Sequence, residues 1–427
     1  MKKILIFLII CFSLSCENKK EQIIISKSDY KKKLEGFWLG QCIANWTGLI
    51  TEMDKIGNIG SIKTGDFYTR NDWGKKDLPN IWGEMKDSIS PIIDFVFKDT
   101  NEIWGADDDT DIEYMYQHLM FKNRTAKLTP KQIRKGWLKH IKKDEENYLW
   151  VSNQAAFDLM QKGMLPPETS NPKINPFSQM IDAQLTTEIF GLFAPSKPEV
   201  ALEISELPIR VVARGNAELI SKFYVIMHSL AYQIDPSKNL KKQTQQIAYE
   251  ARTFLPDSSY PAKMYDYVFS LYQSGITWEK ARDSIYKRYQ VDQLDGYKIT
   301  TQNLYCNGCF AAGINYAAGL VSWFYGEGNF KETLKIGVLT GWDSDNPTAT
   351  WGGLLGFIIE KKGIEKAFKK KFSNRFNIHR TRQNFENNGI DEFSQMAEIG
   401  IKVTDQIIIN LFEGEIDSIE NSWIISK

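Results

Sequence analysis

Cysteine and histidine are scarce, five and four residues among 427, so soft-metal chemistry has few donors to draw on. Cys11 falls inside an N-terminal apolar run and Cys16 just beyond it, leaving Cys42, Cys306 and Cys309 for the body of the chain. That odd count argues against a disulfide framework. Cys306-Asn-Gly-Cys309 has the spacing of half a zinc or redox site, but no second pair or His-rich segment completes it, and a structural or incidental role is expected. An excess of one charge is also lacking, because Lys plus Arg and Asp plus Glu both total 53. No global field gathers nucleic acid or an anionic membrane surface, and no nucleic-acid partner is expected. Past the N-terminus no stretch reaches the roughly 18 uninterrupted apolar residues of a membrane-spanning helix. Repeats of solenoid period, low-complexity tracts and sustained heptads are missing too.

What is present suffices for a sizeable core: 42% of the residues are hydrophobic, far from the profile of a disordered chain. Lys2 and Lys3, the apolar run Ile4 to Leu14, then Ser15 and Cys16 read as a secretory signal. Leu14-Ser15-Cys16 resembles the processing box of bacterial lipoproteins, in which the cysteine is lipidated, although Ser13 stands where that box usually has Leu. An ordinary secretory signal with an incidental cysteine is the alternative. The expected organisation is a signal peptide over 1–15, a tether over 16–33, one domain over 34–413 and a C-terminal tail over 414–427. Export and attachment to the cell envelope through a lipid on Cys16 follow from that reading.

Within the domain, apolar residues recur at helical spacing between Gly, Pro and Asn punctuation, which predicts an all-α, compact multi-helix fold. Ile112, Met115, Tyr116 and Leu119 share one helical face, so the acids Asp107, Asp108 and Asp109 sit at that helix's beginning. Asp343 and Asp345 likewise precede an apolar helix, with Asn346 as expected N-cap and Pro347 as first helical residue. Adjacent ionised carboxylates repel by about 1 kcal/mol per pair even in high dielectric. Solvation on a surface turn, the helix N-terminus or a divalent cation would offset that. Two such groups suggest one shared purpose, and an oxygen-rich set suits Mg²⁺, Mn²⁺ or Ca²⁺ better than zinc. Gly36, Gly40, Ala44 and Gly48 form a small-residue stripe that lets another helix approach closely, and Glu52 lies just beyond it. Trp104 and Trp342 precede the two acid groups and offer aromatic surface for stacking, or core. The proline-rich stretch from Leu165 to Phe177 reads as a long loop of open role.

These motifs resemble, in order, those of the ADP-ribosylglycohydrolase family. The segment from Gly36 to Glu52 resembles its first helix, with Glu52 in the place of a functional Glu. Asp107 to Thr110 resembles the metal-binding Thr-Asp-Asp-Thr stretch, and Asp343-Ser344-Asp345 the late Asp-Thr-Asp. Arg214-Gly215-Asn216-Ala217 resembles a Gly-Asn-Gly substrate loop, and Gln179 to Pro195 the segment before it. The chain departs from the pattern at Asn45 for Asp, Asp107 for Thr or Ser, Asn346 for Thr, Ala217 for Gly and Ala213 for His. The resemblance implies an all-helical fold around a binuclear centre with two Mg²⁺ or Mn²⁺. It implies metal ligands Asp107, Asp108, Asp109, Asp343, Asp345 and Asn346, catalysis by Glu52, and substrate binding by Gly215 and Asn216; Trp104 and Trp342 join the substrate-binding candidates by their position before the acids alone. The expected activity is metal-dependent hydrolysis of a glycosidic or N-glycosidic bond in a small glycoside or ADP-ribosyl-type substrate. A catalytically silent, cation-stabilised lipoprotein that binds a sugar or nucleotide is the alternative.

Overall fold

The computed structural model describes residues 22–84, 89–412 and 414–426; Cys16 and the signal segment lie outside them. Strand β1 (Gln22–Ser26) leads directly into helix α1 (Lys27–Gly48), and after a long irregular stretch come β2 (Trp104–Gly105) and α2 (Asp108–Asn123). The middle of the chain is helical: α3 (Pro130–His140), α4 (Val151–Gln161), α5 (Asp182–Thr187), α6 (Ile189–Leu192), α7 (Pro198–Ile209), α8 (Asn216–Leu230), α9 (Leu240–Thr253), α10 (Tyr260–Gln273) and α11 (Trp278–Ile285). Then follow α12 (Ala312–Gly326), α13 (Phe330–Thr340), α14 (Asp345–Phe368), β3 (Arg375–Asn377), β4 (Ile390–Glu392), α15 (Phe393–Leu411), β5 (Glu415–Asp417) and β6 (Ser422–Ser426). The helical expectation holds, with two three-stranded sheets added at the periphery, ordered β1-β6-β5 and β2-β3-β4.

Helices α1 and α14 form the axis of the molecule. They run antiparallel with their backbones in contact, because glycines face one another. A Cβ on Gly36 would stand 2.3 Å from the Gly356 carbonyl, one on Gly40 2.2 Å from the Gly352 carbonyl, and one on Gly48 2.3 Å from Asp345 Cα. The stripe legible in α1 thus meets a matching stripe in α14, and the end of α1 is brought to the start of α14. In α2 the predicted apolar face is buried, but the helix is covered on its other side too. Its buried polar residues are therefore matched: Gln41 Nε2 donates to Glu113 (2.6 Å), Gln117 Nε2 donates to the Met396 carbonyl (2.9 Å), and Asp111 pairs with Arg382 (2.9 Å).

Three expectations need correction. The tether expected over 16–33 contains β1 and the first two turns of α1, and the tail expected over 414–427 contains β5 and β6. Gln22-Ile-Ile-Ile-Ser26 and Ser422-Trp-Ile-Ile-Ser426 pair antiparallel, Gln22 opposite Ser426, burying Ile25, Trp423 and Ile425. Asp405 fastens this sheet to α15, ion-paired with Lys27 (2.7 Å) and accepting from Trp423 Nε1 (2.7 Å). The late helix begins at Asp345 with Ser344 as its cap, not at Pro347 with Asn346 as cap. Finally, Cys306 and Cys309 are joined by a disulfide while Cys42 is free and buried, so the odd count hid one local bridge.

Candidate active site

Each acid group is placed by the turn that carries it. Asp107 caps α2, accepting from the Asp108 amide (2.9 Å), while Thr110 Oγ1 accepts from the Asp107 amide (3.1 Å). This reciprocal capping box puts three carboxylates on the first turn, where the unpaired N–H groups favour negative charge. At the other group Ser344 points away from the cavity, its hydroxyl donating to the Gly48 carbonyl (3.0 Å) and meeting Thr51 Oγ1 (2.9 Å). Asp343 and Asp345, on either side of it, face the cavity instead, and the Asp343 amide donates to Asn315 Oδ1 (3.1 Å). Glu52 is held on the turn after α1 by a backbone brace: Met53 N–H donates to the Trp342 carbonyl (2.9 Å) and Trp342 N–H to the Lys55 carbonyl (2.8 Å).

Glu52, Asp343 and Asp345 form one group of carboxylates whose oxygens lie within 4.8 Å of one another, and Asp107, Asp108 and Asp109 form a second. The groups meet, since the carboxyls of Asp109 and Asp345 are within hydrogen-bonding reach of each other. All six line one cavity of about 640 Å³. Burial, then the neighbouring acids, holds the carboxyls of Asp108, Asp109 and Asp343 well above the usual carboxylate range. Burial and Asp107 push Asp345 up to about 6, opposed by hydrogen bonds to Asp109 and Asp343. Asp345 Oδ1 is buried without a hydrogen-bond partner. An all-oxygen set that resists ionising, with an orphaned carboxylate oxygen inside, fits hard divalent cations.

Asn346, expected as a ligand, lies against the second acid group and is hydrogen-bonded there. Its Oδ1 accepts from Gln184 Nε2 (2.8 Å), and its Nδ2 donates to Asp109 Oδ1 (2.9 Å). Asn45 Nδ2 donates to Asp109 Oδ2 (3.0 Å) and Asp107 Oδ2 (3.3 Å). Two asparagine amides therefore grip Asp109 from both sides.

The stacking expected of the tryptophans is also overturned. Trp104 and Trp342 are both fully buried, the first donating Nε1–H to the Ser373 carbonyl (3.2 Å), the second to Gln290 Oε1 (2.7 Å). They strut the turns instead of facing ligand, because each indole finds an internal acceptor. Gly215 is exposed and Asn216 half-buried at the start of α8, and neither lines the cavity. This loop is linked to it at one remove: Gln179 Nε2 donates to the Arg214 carbonyl (2.7 Å), two residues before the lining residue Ile181. Aromatic residues that sequence reading passed over do line the cavity: Trp82, Tyr148, Trp150, Tyr305, Phe310 and His379. The one signal was Tyr148-Leu149-Trp150, rings on either side of a buried Leu149.

A helical fold thus converges acids from three chain segments on one cavity as a carboxylate centre. The ADP-ribosylglycohydrolase family model matches residues 26–397, and the chain belongs to that family, whose members typically depend on divalent metals. A solved structure described as an ADP-ribosylglycohydrolase-related protein complex is similar to it, with a TM-score of 0.49 and 11% identity over 89% of this chain and 99% of the other. No curated relative matches.

Proposed function

We propose that the chain is a metal-dependent hydrolase of a glycosidic or N-glycosidic bond. One observation carries this reading: two carboxylate groups on different elements meet in one cavity beside Glu52. Asp107, Asp108 and Asp109 on one side and Asp343 and Asp345 on the other would hold two Mg²⁺ or Mn²⁺. Such a pair orients substrate hydroxyls and eases deprotonation of water. Asn45 and Asn346 fix the Asp109 carboxylate by hydrogen bonds to both oxygens. Glu52, half-buried and braced to Trp342 through the backbone, takes or gives a proton as positive character develops at the glycosidic carbon.

Asp343→Asn is expected to abolish metal-dependent turnover and the rise in melting temperature on adding Mn²⁺. Melting without metal stays the same or rises, since the substitution removes one of several crowded acids. Retained Mn²⁺ stabilisation in this variant would count against the centre. We also propose, from Leu14-Ser15-Cys16 alone, attachment to the cell envelope through a lipid on Cys16; Cys16→Ala should move the protein from membrane to soluble fractions, and a variant that stays membrane-bound argues against the anchor.

The second reading, a silent cation-stabilised binding lipoprotein, is favoured by the two amides on Asp109, which satisfy both of its oxygens without a cation. Titration with Mn²⁺ followed by a substrate screen separates the two: ligand binding without turnover supports the silent reading.

A further inference from the structure

The even charge balance of the whole chain is not kept locally. From Phe121 to Lys143, across the end of α2 and all of α3, stand nine Lys and Arg and no Asp or Glu. In α3 the buried residues Ile133, Gly136, Trp137 and His140 face the core, which turns Lys131, Lys135 and Lys139, four positions apart, to one exposed face. Tertiary packing widens that face. A groove between α2 and α3 is lined by Lys122, Lys135 and Lys139, and a second groove, lined by Lys122, Arg124 and Lys402, carries it on to α15. Among the described residues two carboxylates line these grooves, and both are engaged: Glu386 with Lys122 (2.7 Å) and Asp405 with Lys27 (2.7 Å). Arg124, Lys131, Lys135, Lys139 and Lys402 are exposed and, among the described residues, in no ion pair.

Unopposed cations on one face attract an anionic surface, each basic residue near anionic lipid strengthening binding about fivefold. Several together suffice where one does not. Apolar surface lies among them: the Nζ atoms of Lys122 and Lys402 each stand 5.8 Å from the Phe121 ring, and Ile409, 56% exposed, follows Lys402 by two turns on the same side of α15. The described chain begins beside this face, because Asp405, which lines the second groove, holds both Lys27 after β1 and Trp423 of β6. From Cys16 to Gln22 an extended chain spans at most about 20 Å, so a lipid on Cys16 would keep the face within reach of a membrane. That proximity favours lipid over nucleic acid as the partner. The acids of the cavity sit on the first turn of α2 and the face at its last, 16 residues or about 24 Å along the helix.

We propose that the basic face of α2, α3 and α15 docks on an anionic lipid surface, which holds the body of the protein against the membrane with the acids of the cavity a helix length away. The reach from Cys16 rests on the proposed anchor; the charge of the face does not.

Acylation of lysines in the full chain by an amine-reactive ester, read by mass spectrometry, tests this on vesicles of phosphatidylcholine alone and on vesicles carrying about 30% phosphatidylglycerol. Lys135, Lys139 and Lys402 should react about fivefold or more slowly on the anionic vesicles, while Lys280 and Lys298, exposed and outside both grooves, react alike on both. In about 1 M salt, where charges are screened beyond about 3 Å, the protection should vanish. Lys135→Gln combined with Lys139→Gln should lower the preference for anionic over neutral vesicles, measured by co-sedimentation, about tenfold or more; Lys280→Gln combined with Lys298→Gln should leave it unchanged. Equal acylation on both vesicles, protection that survives the salt, or an unchanged preference in the Lys135 and Lys139 double variant would each overturn the proposal. So would a short DNA duplex that protects the same lysines more strongly than anionic vesicles at equal phosphate concentration, which would assign the face to nucleic acid. A lipid on Cys16 would hold the chain equally on both vesicles, so the comparison reads the face and stands whether or not the anchor does.

Discussion

Asp111 sits two residues past Asp109, yet it faces away from the centre and pairs with Arg382, both side chains almost fully buried. Burial raises the Asp111 carboxyl to about 6 against the opposing pull of Arg382. Arg382 also donates to the Asn147 carbonyl (2.7 Å) and to Thr381 Oγ1 (2.8 Å), fastening the segment after β3 to the approach to α4. Arg382→Leu should strand the Asp111 charge and cost about 3 to 5 kcal/mol. Denaturant titration checks it, and adding Asp111→Leu should recover part of the loss; a single variant as stable as the parent would refute the pairing. At this scale the sequence showed where the acids lie along the chain but not which way they point. Asp107 to Asp109 were legible as one group, whereas the outward turn of Asp111 depended on a partner 271 positions away. Trp104 and Trp342 were legible as neighbours of the acids, and their burial was not, because an indole turns inward or outward according to which acceptor the fold offers.

Helices α1 and α14 carry the geometry of the centre between them. Glu52 follows one and Asp345 opens the other, so their spacing follows from how closely the two backbones pack. A Cβ on Gly352 would meet the Ala44 Cβ at 2.2 Å and the Gly40 carbonyl at 2.5 Å, neither able to yield without moving a helix. Gly352→Ala should therefore cost about 1 to 3 kcal/mol or more, seen as a lower melting temperature, and should weaken Mn²⁺ binding by moving Glu52 away from Asp343 and Asp345, its companions in one acid group. Unchanged melting and unchanged Mn²⁺ affinity would mean the helices are free to separate. The stripe in α1 was readable because small residues at every fourth position serve little else than close approach. Its partner was not singled out, since Gly352 and Gly356 lie in an apolar run whose contacts only folding defines.

Across the whole molecule, proton linkage offers a test independent of the centre. All four histidines are pushed down by burial: His228, His118 and His379 to about 4, with His140 lowered as well. A folded pKa below the unfolded value of about 6.5 means the unfolded chain binds more protons between those limits. The histidines' contribution to stability is then complete above about pH 6.5 and is lost as pH falls toward 4. His228 is enclosed, with Nδ1 2.8 Å from the Tyr224 carbonyl, and its shift corresponds to about 3 kcal/mol. Raised carboxyls such as Asp54 and Glu113 act in the opposite direction in this window, so the test is the difference between parent and variant: the stability of the parent relative to His228→Gln should drop as pH falls from about 6.5 toward 4, and a difference that does not change with pH would contradict the burial of His228. The sequence by itself determined the helical class, the family motifs in their order and the capped turn that bears three acids, because each is a local pattern of a few residues. Only the tertiary structure decided that the two acid groups meet, that β1 and β6 join one sheet, and that aromatic side chains from distant segments ring the cavity. Those depend on contacts between residues tens to hundreds of positions apart, and local patterns carry no information about which distant surfaces will bury one another.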